Sequence, residues 1–299
     1  MNNNVLFEQL VERFRKELTI LNDKPEETIE STIKAIWEMA CGIPLSAEKA
    51  ALQQTLPELR TEQIDKLNYL IDRRLNNIPL AHLTGRQSFM GIEFLCDKRA
   101  LIPRKETEVL GNTALQLTQN FSINKKKVKV IDICCGGGNL GLAIAYLNPN
   151  AQVFASDISQ DAVDLTLDNV SFLNLLERVQ IEQSDLFSSY ESEQFYNKTD
   201  VIICNPPYIS TAKVGKMEAE IAANEPAIAF DGGMLGFKIF QRLISEAPKF
   251  LTIGGWLVFE VGLGQGEFIM QLCYKTGKYS SIMPVNDELG NIRCIAVQK

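Results

Sequence analysis

Histidine is nearly absent: His82, in Pro79-Leu-Ala-His-Leu-Thr-Gly85, is the only one in the chain. Chemistry built on an imidazole base or a histidine-rich metal site therefore has little to draw on, and among apolar neighbours His82 reads as structural. No apolar run approaches the roughly 20 residues that a helix needs to cross a bilayer. No basic flank precedes an apolar stretch at the start, so neither a membrane segment nor a secretory signal is expected. The seven cysteines (41, 96, 134, 135, 204, 273 and 294) have no framework spacing, which fits reduced thiols in a cytoplasm. Cys134 and Cys135 are adjacent, but successive side chains diverge and no second pair stands at ligand spacing, so no metal is expected. Positive charge is in short supply. With 30 Lys and Arg against 37 Asp and Glu, the net charge of −7 argues against stable nucleic-acid binding, leaving room only for a local basic groove. Glycine and proline are not in excess, and no internal repeat shows. What remains is 299 residues, 45% hydrophobic and 22% charged, enough for one large domain or two ordinary ones.

The first eighty residues carry only helical periodicity. Val5, Leu6, Leu10, Val11, Phe14 and Leu18 share a face, and a second helix is expected from Pro25-Glu-Glu, where proline and acids suit a first turn. Gly42 and Pro44 end it, Ser46 can cap a third, and Thr61 to Leu75 is a fourth periodic run. From Pro79 the pattern changes. Phe89-Met-Gly-Ile-Glu-Phe94 reads as a hairpin, and Ala100-Leu-Ile102 as a short strand. A helix from Glu106 to Asn120 follows. Strands and helices then alternate: strands at 128–133, 152–156, 179–183, 201–204 and 256–260, with helices at 140–147, 159–173 and 236–250. Such alternation implies βαβ units and a mainly parallel sheet covered on both faces. Tyr279 to Met283 and Asn291 to Val297 would add an antiparallel hairpin at one edge.

Two segments carry chemistry. Asp132-Ile-Cys-Cys-Gly-Gly-Gly138-Asn-Leu-Gly141 follows the first strand of the alternating region, where glycines let backbone turn sharply and approach a ligand at a helix N-terminus. Its spacing differs from the G-x-G-x-x-G of dinucleotide enzymes. A second acid, Asp157, closes the next strand, where an acid commonly takes ribose hydroxyls, and Asp185 closes the one after. The second segment is Val201-Ile-Ile-Cys-Asn205-Pro-Pro-Tyr208, an apolar strand that ends in an amide, two prolines and an aromatic ring. A residue before proline is steered to extended backbone, which aims the Asn205 side chain. Pro206 and Pro207 lack N–H groups and stiffen the turn, while Tyr208 supplies an aromatic face with a polar tip.

Together these four residues form a rigid acceptor cradle for an NH₂ group lying against a ring. A planar nitrogen, in a carboxamide or an aminopurine, is a poor nucleophile because its lone pair is delocalised. Asn205 Oδ1 and the Pro206 carbonyl can accept its two hydrogens and favour the charge that develops as a methyl group arrives. Positioning then does most of the work and no strong base is needed. Glycine loop, acids and tetrapeptide, in that order, point to a methyltransferase using S-adenosylmethionine. The residues alone leave open whether the acceptor is a carboxamide or a nucleic-acid base.

At this point the sequence resembles the peptide-chain release factor glutamine methyltransferases along nearly its whole length. The likeness runs through Pro79 to Gly85, Phe89-Met-Gly91, Ile102-Pro-Arg-Lys-Glu-Thr-Glu108, the glycine loop, Asn205 to Ile209 and Glu225-Pro226. It continues through Asp231-Gly-Gly233, Gly254-Gly-Trp256, Glu260-Val-Gly262 with Gln265, and Gly290 with Arg293. The resemblance implies an α/β class I (Rossmann-like) methyltransferase domain with a seven-stranded mixed sheet at 106–299. Ahead of it come a helical substrate-docking bundle at 1–78 and a hairpin-like connector at 79–105. It also implies that Cys134, Cys135, Gly136, Gly137 and Gly138 line the methionine part of S-adenosylmethionine, that Asp157 takes its ribose and Asp185 with Leu186 border its adenine, and that Asp132 and Asn205 also belong to the cofactor site. Asn205, Pro206, Pro207 and Tyr208 would hold a glutamine side chain, with Arg104 and Glu106 in the wall beside the transferred methyl. The implied substrate is the Gly-Gly-Gln glutamine of bacterial release factors, the implied partner is the factor itself, and a cytoplasmic monomer is expected.

Five positions depart from the family pattern. Cys134 replaces the first glycine of the loop and Gly137 a serine; Lys105 replaces a proline; Met234 and Leu235 replace two acids. A small thiol at 134 can fit if the backbone there keeps φ negative, and cofactor binding is expected to survive. These changes leave room for another acceptor, such as a ribosomal-protein glutamine, a peptide or a small molecule, or for a non-catalytic descendant.

Overall fold

The computed structural model describes residues 3–21, 23–234 and 236–299; Leu235 lies outside them. The chain forms two compact units. The first comprises residues up to Lys98 with Ile102–Lys105 and Glu218–Glu225; the second comprises Arg99–Leu101, Glu106–Met217 and Pro226–Lys299. Among the described residues no helix is long and apolar enough to cross a membrane.

In the first unit the helices α1 (Asn3–Glu17), α2 (Ile29–Ala40), α3 (Ala47–Ala51), α4 (Thr61–Leu75) and α5 (Leu80–Thr84) precede a hairpin of β1 (Arg86–Phe89) and β2 (Ile92–Leu95). Leu10, Phe14, Ile33, Trp37, Leu67 and Ile71 form its core, the periodic faces closing on one another. Ser46 caps α3 as expected, accepting from Lys49 N. The second helix starts later than Pro25. Thr28 and Ser31 form a reciprocal capping box that fixes the start at Ile29, while Glu27 is drawn instead to Arg74 at 3.1 Å. The hairpin turns through Met90 and Gly91, both at positive φ (50° and 74°), as a tight two-residue turn requires. Ala100 to Ile102 is not a strand. The Ile102 N–H donates to a side chain, Glu225 Oε2, at 2.8 Å rather than to a neighbouring strand.

The second unit contains α6 (Glu108–Ser122), β3 (Val128–Ile133), α7 (Asn139–Leu147), β4 (Ala151–Asp157), α8 (Gln160–Phe172), β5 (Val179–Gln183), β6 (Thr199–Cys204) and α9 (Thr211–Val214). After α10 (Ala219–Asn224), which belongs to the first unit, come α11 (Lys238–Glu246), β7 (Leu251–Glu260), α12 (Gly266–Thr276), β8 (Ser281–Asn286) and β9 (Ile292–Gln298). The expected helix at 236–250 is α only over Lys238–Glu246. Pro248 has no N–H for an α-helical bond, and Ala247–Lys249 winds as a 3-10 turn. A 3-10 turn, Lys105–Thr107, likewise precedes α6.

The strands form one seven-stranded sheet in the order β5-β4-β3-β6-β7-β9-β8, parallel except where β9 meets β7 and β8. The seven-stranded mixed sheet read from the sequence is present, its antiparallel pair at one edge. The strand order reverses direction at β3: β4 lies on one side and β6 on the other. That switch point is where open α/β sheets bind ligands, beyond the carboxyl ends of the strands. Register makes the point concrete. Ile133 pairs with Cys204, so β3 and β6 end level and their following loops leave side by side.

Candidate active site

The loop after β3 is built of left-handed backbone. Cys134, Gly136 and Gly138 have φ of 58°, 56° and 83°. The condition of negative φ at Cys134 is not met: a side chain occupies a conformation that costs a non-glycine residue about 1 kcal/mol or more. The loop holds this shape because its polar groups are tied down. Asp157 Oδ2 accepts from Gly136 N at 2.9 Å, Thr166 Oγ1 donates to Gly136 O at 2.7 Å, and Asn169 Nδ2 donates to Gly137 O at 2.9 Å. Cys134→Gly is expected to be more stable than Cys134→Ala by about 1 kcal/mol, since both remove the thiol and only glycine relaxes at this φ. Thermal melts decide it; equal stabilities would show that the loop stores no strain there.

Glycine is needed at 138, where an added Cβ would stand 2.7 Å from Thr166 Cγ2 and 2.9 Å from Leu142 Cδ1. At Gly137 the nearest atom, Leu165 Cδ2, would be 3.4 Å away, so the side chain usual in the family fits and its loss leaves the loop intact. Gly136 faces open space, and backbone there is bare to a ligand. Asp132 lies beneath, fully buried. Its Oδ2 accepts from Gly141 N at 2.8 Å, and burial, only partly offset by that bond, pushes its carboxyl up to about 7.

A cleft opens over this loop. Cys134, Cys135, Gly136, Asp157, Asp185, Leu186, Asn205 and Pro207 line it, with Arg99 to Leu101, Ile158, Ile228, Ile239 and Arg242. Asp157 sits between cleft and loop, its Oδ1 accepting from Ser159 N at 2.9 Å; burial raises its pKa. Leu186, at φ 49°, is a second side chain held in left-handed backbone on the same wall. Asp185 is gripped by Arg242, whose NH1 lies 2.8 and 3.0 Å from its two oxygens. Nothing in the local sequence marked Arg242, which comes 57 residues after its partner.

Of the other residues singled out, Asp132, Gly137, Gly138, Pro206, Tyr208 and Glu106 do not line the cleft. Arg104 belongs to the first unit. It is buried with Nε 2.9 Å from Asp23, NH1 donating to Ile102 O at 2.9 Å and NH2 to Glu225 at 2.6 Å, so every nitrogen of the guanidinium is engaged. Also in that unit, Lys24 and Arg74 each reach Glu220 at 2.8 Å, a buried charge cluster that fixes α10.

Asn205 to Tyr208 leave the end of β6 and are clamped from behind. The Tyr208 hydroxyl donates to Glu260 Oε1 at 2.8 Å, and Gln265 Nε2 donates to the Tyr208 carbonyl at 3.0 Å. Burial and Glu260 raise the Tyr208 pKa well above its usual value. Ile209 pairs with the segment at Asp231, and Asp231 Oδ1 accepts from Thr211 Oγ1 and Gly233 N. Met234 is 86% exposed, so its exchange for an acid changes the rim and leaves the tetrapeptide untouched. Glu106 is ion-paired with Arg293 at 2.8 Å, and Arg293 also lies 3.6 Å from Glu260. Burial raises the Glu260 pKa, opposed by the Thr107 and Tyr208 hydroxyls and by Arg293. The sequence likeness marked Thr107, Glu260, Gln265 and Arg293 without assigning them roles.

Comparison with known proteins bears on the family and the fold. A family profile described as "Methyltransferase small domain" matches residues 110–235. The release factor glutamine methyltransferase of Thermodesulfovibrio yellowstonii is 31% identical over 280 residues, 93% of this chain and 97% of that protein. The one from Rhodopirellula baltica is 34% identical over 238 residues, covering 80% and 79%. Among solved structures, a methyltransferase from Pyrococcus furiosus has a TM-score of 0.50 at 17% identity, over 76% of this chain and 96% of its own. The human methyltransferase 10 domain containing protein has the same score and identity over 70% and 88%. These two speak to the fold alone.

Proposed function

This chain belongs to the release factor glutamine methyltransferase family and is an S-adenosylmethionine-dependent N-methyltransferase; from that premise we propose that it methylates N5 of the Gly-Gly-Gln glutamine in bacterial peptide chain release factors. The observation that carries the reading is the level ending of β3 and β6, which puts Asn205 and Pro207 on the wall of the cleft that the glycine loop floors. The residues fit the cofactor: bare backbone at Gly136, an acid at Asp157 and apolar side chains at Leu186, Ile158 and Ile239 suit a nucleoside bearing a short polar chain. Cys134 to Gly138 with Asp157 would hold it, and when bound it supplies an electrophilic methyl group.

The chain's own residues do the rest. Asn205 Oδ1 and the Pro206 carbonyl accept the hydrogens of the glutamine NH₂, which aims the nitrogen and favours the positive charge it gains. Tyr208, its hydroxyl held by Glu260, presents its ring beside the planar amide. In this reading the helical unit docks the protein substrate, supported by relatives that match it over the same length. Purified release factors incubated with the enzyme and methyl-labelled cofactor are expected to carry label on the Gly-Gly-Gln glutamine. Label located by mass spectrometry on another residue, or on nucleic acid, would overturn the substrate assignment.

A further inference from the structure

A carboxylate offers two oxygens, and at Asp231 only one of them is in use. Oδ1 accepts from Thr211 Oγ1 at 2.7 Å and from Gly233 N at 2.9 Å, whereas Oδ2 has no bond among the described residues. The two bonds fix the side chain, so the free oxygen is held in place before any ligand arrives. Asp231 is half-buried and lines the same cleft as Asn205 and Pro207. An acceptor aligned in this way on a cleft wall takes its donor from outside the chain.

The continuation of the tetrapeptide sets where that oxygen stands. Ile209 N donates to Phe230 O at 2.9 Å and Gly232 N to Ile209 O at 2.8 Å, one bond on each side of Asp231. Gly232 lies so close that an added Cβ would stand 2.6 Å from Pro207 O. Asp231 therefore flanks the backbone that carries the Asn205 oxygen and the Pro206 carbonyl. It does so on the outer side of the cleft: Thr211, which grips it, is exposed, and so is Met234 three residues on.

The length of the acceptor decides which donor comes within reach. Two methylene groups separate a glutamine amide from its main chain, so an amide seated in the cradle brings its own peptide N–H groups to the mouth of the cleft. Between glycines no side-chain donor competes with them. An aminopurine would bring a sugar and phosphate instead, and a fixed carboxylate repels phosphate.

We propose that Asp231 is a substrate-binding residue whose free Oδ2 accepts a main-chain N–H beside the methylated glutamine, selecting a polypeptide acceptor over a nucleotide. The inference rests on the reading of Asn205 as the partner of a glutamine amide, and adds a second anchor for the chain that carries it.

Asp231→Asn isolates the free oxygen. The Gly233 N–H only donates, so it keeps the asparagine oxygen at the Oδ1 position; both structural bonds survive and an NH₂ replaces Oδ2. With a purified release factor, KM is expected to rise about 10-fold, the size of one hydrogen bond to a charged acceptor. On the same reasoning kcat and cofactor Kd stay within about threefold. A role confined to holding the loop leaves KM unchanged, and that result overturns the proposal. So does a cofactor Kd raised more than about tenfold at unchanged KM, which gives the carboxylate to the cofactor's ammonium group.

Gly-Gly-Gln peptides in which an ester oxygen replaces one main-chain N–H at a time identify the donor. One such ester is expected to raise KM about 10-fold in the wild type and to add nothing in Asp231→Asn. Equal losses in both enzymes overturn the main-chain assignment. A wild-type enzyme that labels neither factor nor peptide overturns the glutamine reading and this inference together. A labelled factor with KM unmoved in Asp231→Asn overturns this inference alone.

Discussion

Asn205→Ala is expected to lower kcat by about 10²–10³-fold, the usual loss when one preorganised partner of a developing charge is removed. Cofactor affinity should hold within a few-fold. The reason is the division of labour across the cleft. In the proposed reading the cofactor's side is made by the loop after β3, by Asp157 and by Leu186, which line the cleft with Asn205. Asn205 enters from the end of β6 and is tied back only to Thr107. Its removal leaves the Pro206 carbonyl as the one remaining acceptor for an NH₂ that needs two, so the nitrogen loses its aim while the donor stays in place. Calorimetry with the cofactor, beside single-turnover transfer, separates the two effects. A loss of cofactor affinity beyond about tenfold would place Asn205 in the cofactor's site and remove it from the acceptor's.

How legible the molecule is in its sequence depends on the range of the force in question. Apolar runs and local caps are short-range signals, and they read well. The strand Val179–Gln183 and the helix Thr61–Leu75 run between the residues expected, and Ser159 caps α8 by accepting from Ala162 N. The mixed seven-stranded sheet follows from such pieces, because alternation of strand and helix leaves few topologies. Errors arise where a distant partner overrides the local signal. Pro25-Glu-Glu has the composition of a first turn, but Glu27 is held by Arg74, 47 residues away. Ile102 has strand-like neighbours, yet its N–H is taken by Glu225, which lies 123 residues on. Cys134 fails differently. A cysteine gives no sign that its backbone is left-handed, and only the bonds from Asp157, Thr166 and Asn169 to the neighbouring glycines impose it. In the candidate site the tetrapeptide and the loop were visible because proline and glycine announce backbone geometry. Arg242 and the contacts of Thr107 and Glu260 were not, since a partner far along the chain leaves no spacing to read.

Gly236→Ala is expected to cost about 100-fold in kcat, although Gly236 lies 28 residues from Tyr208 and touches nothing chemical. Its φ is 72°, and an added Cβ would stand 2.4 Å from the Tyr208 carbonyl oxygen, an impossible contact with backbone that cannot swing aside as a side chain can. Gly232 presses on the same segment, its Cβ position 2.6 Å from Pro207 O, and a Cβ added at Gly262 would stand 3.0 Å from Tyr208 Cδ2. Three glycines thus close on Pro207 and Tyr208. The methyl on residue 236 must push the Tyr208 carbonyl away from Gln265 Nε2, breaking the 3.0 Å bond that seats it. A shift near 1 Å is enough for a loss of this size where catalysis is positioning. Gln265→Ala is the control: it removes the same bond without the clash, so its loss should be smaller, about tenfold or less. The left-handed φ adds roughly 1 kcal/mol of strain, so Gly236→Ala should also melt a few degrees lower. If Gly236→Ala turns over like wild type, Tyr208 tolerates displacement, and the rigidity assigned to Pro206-Pro207-Tyr208 is not what aligns the acceptor nitrogen.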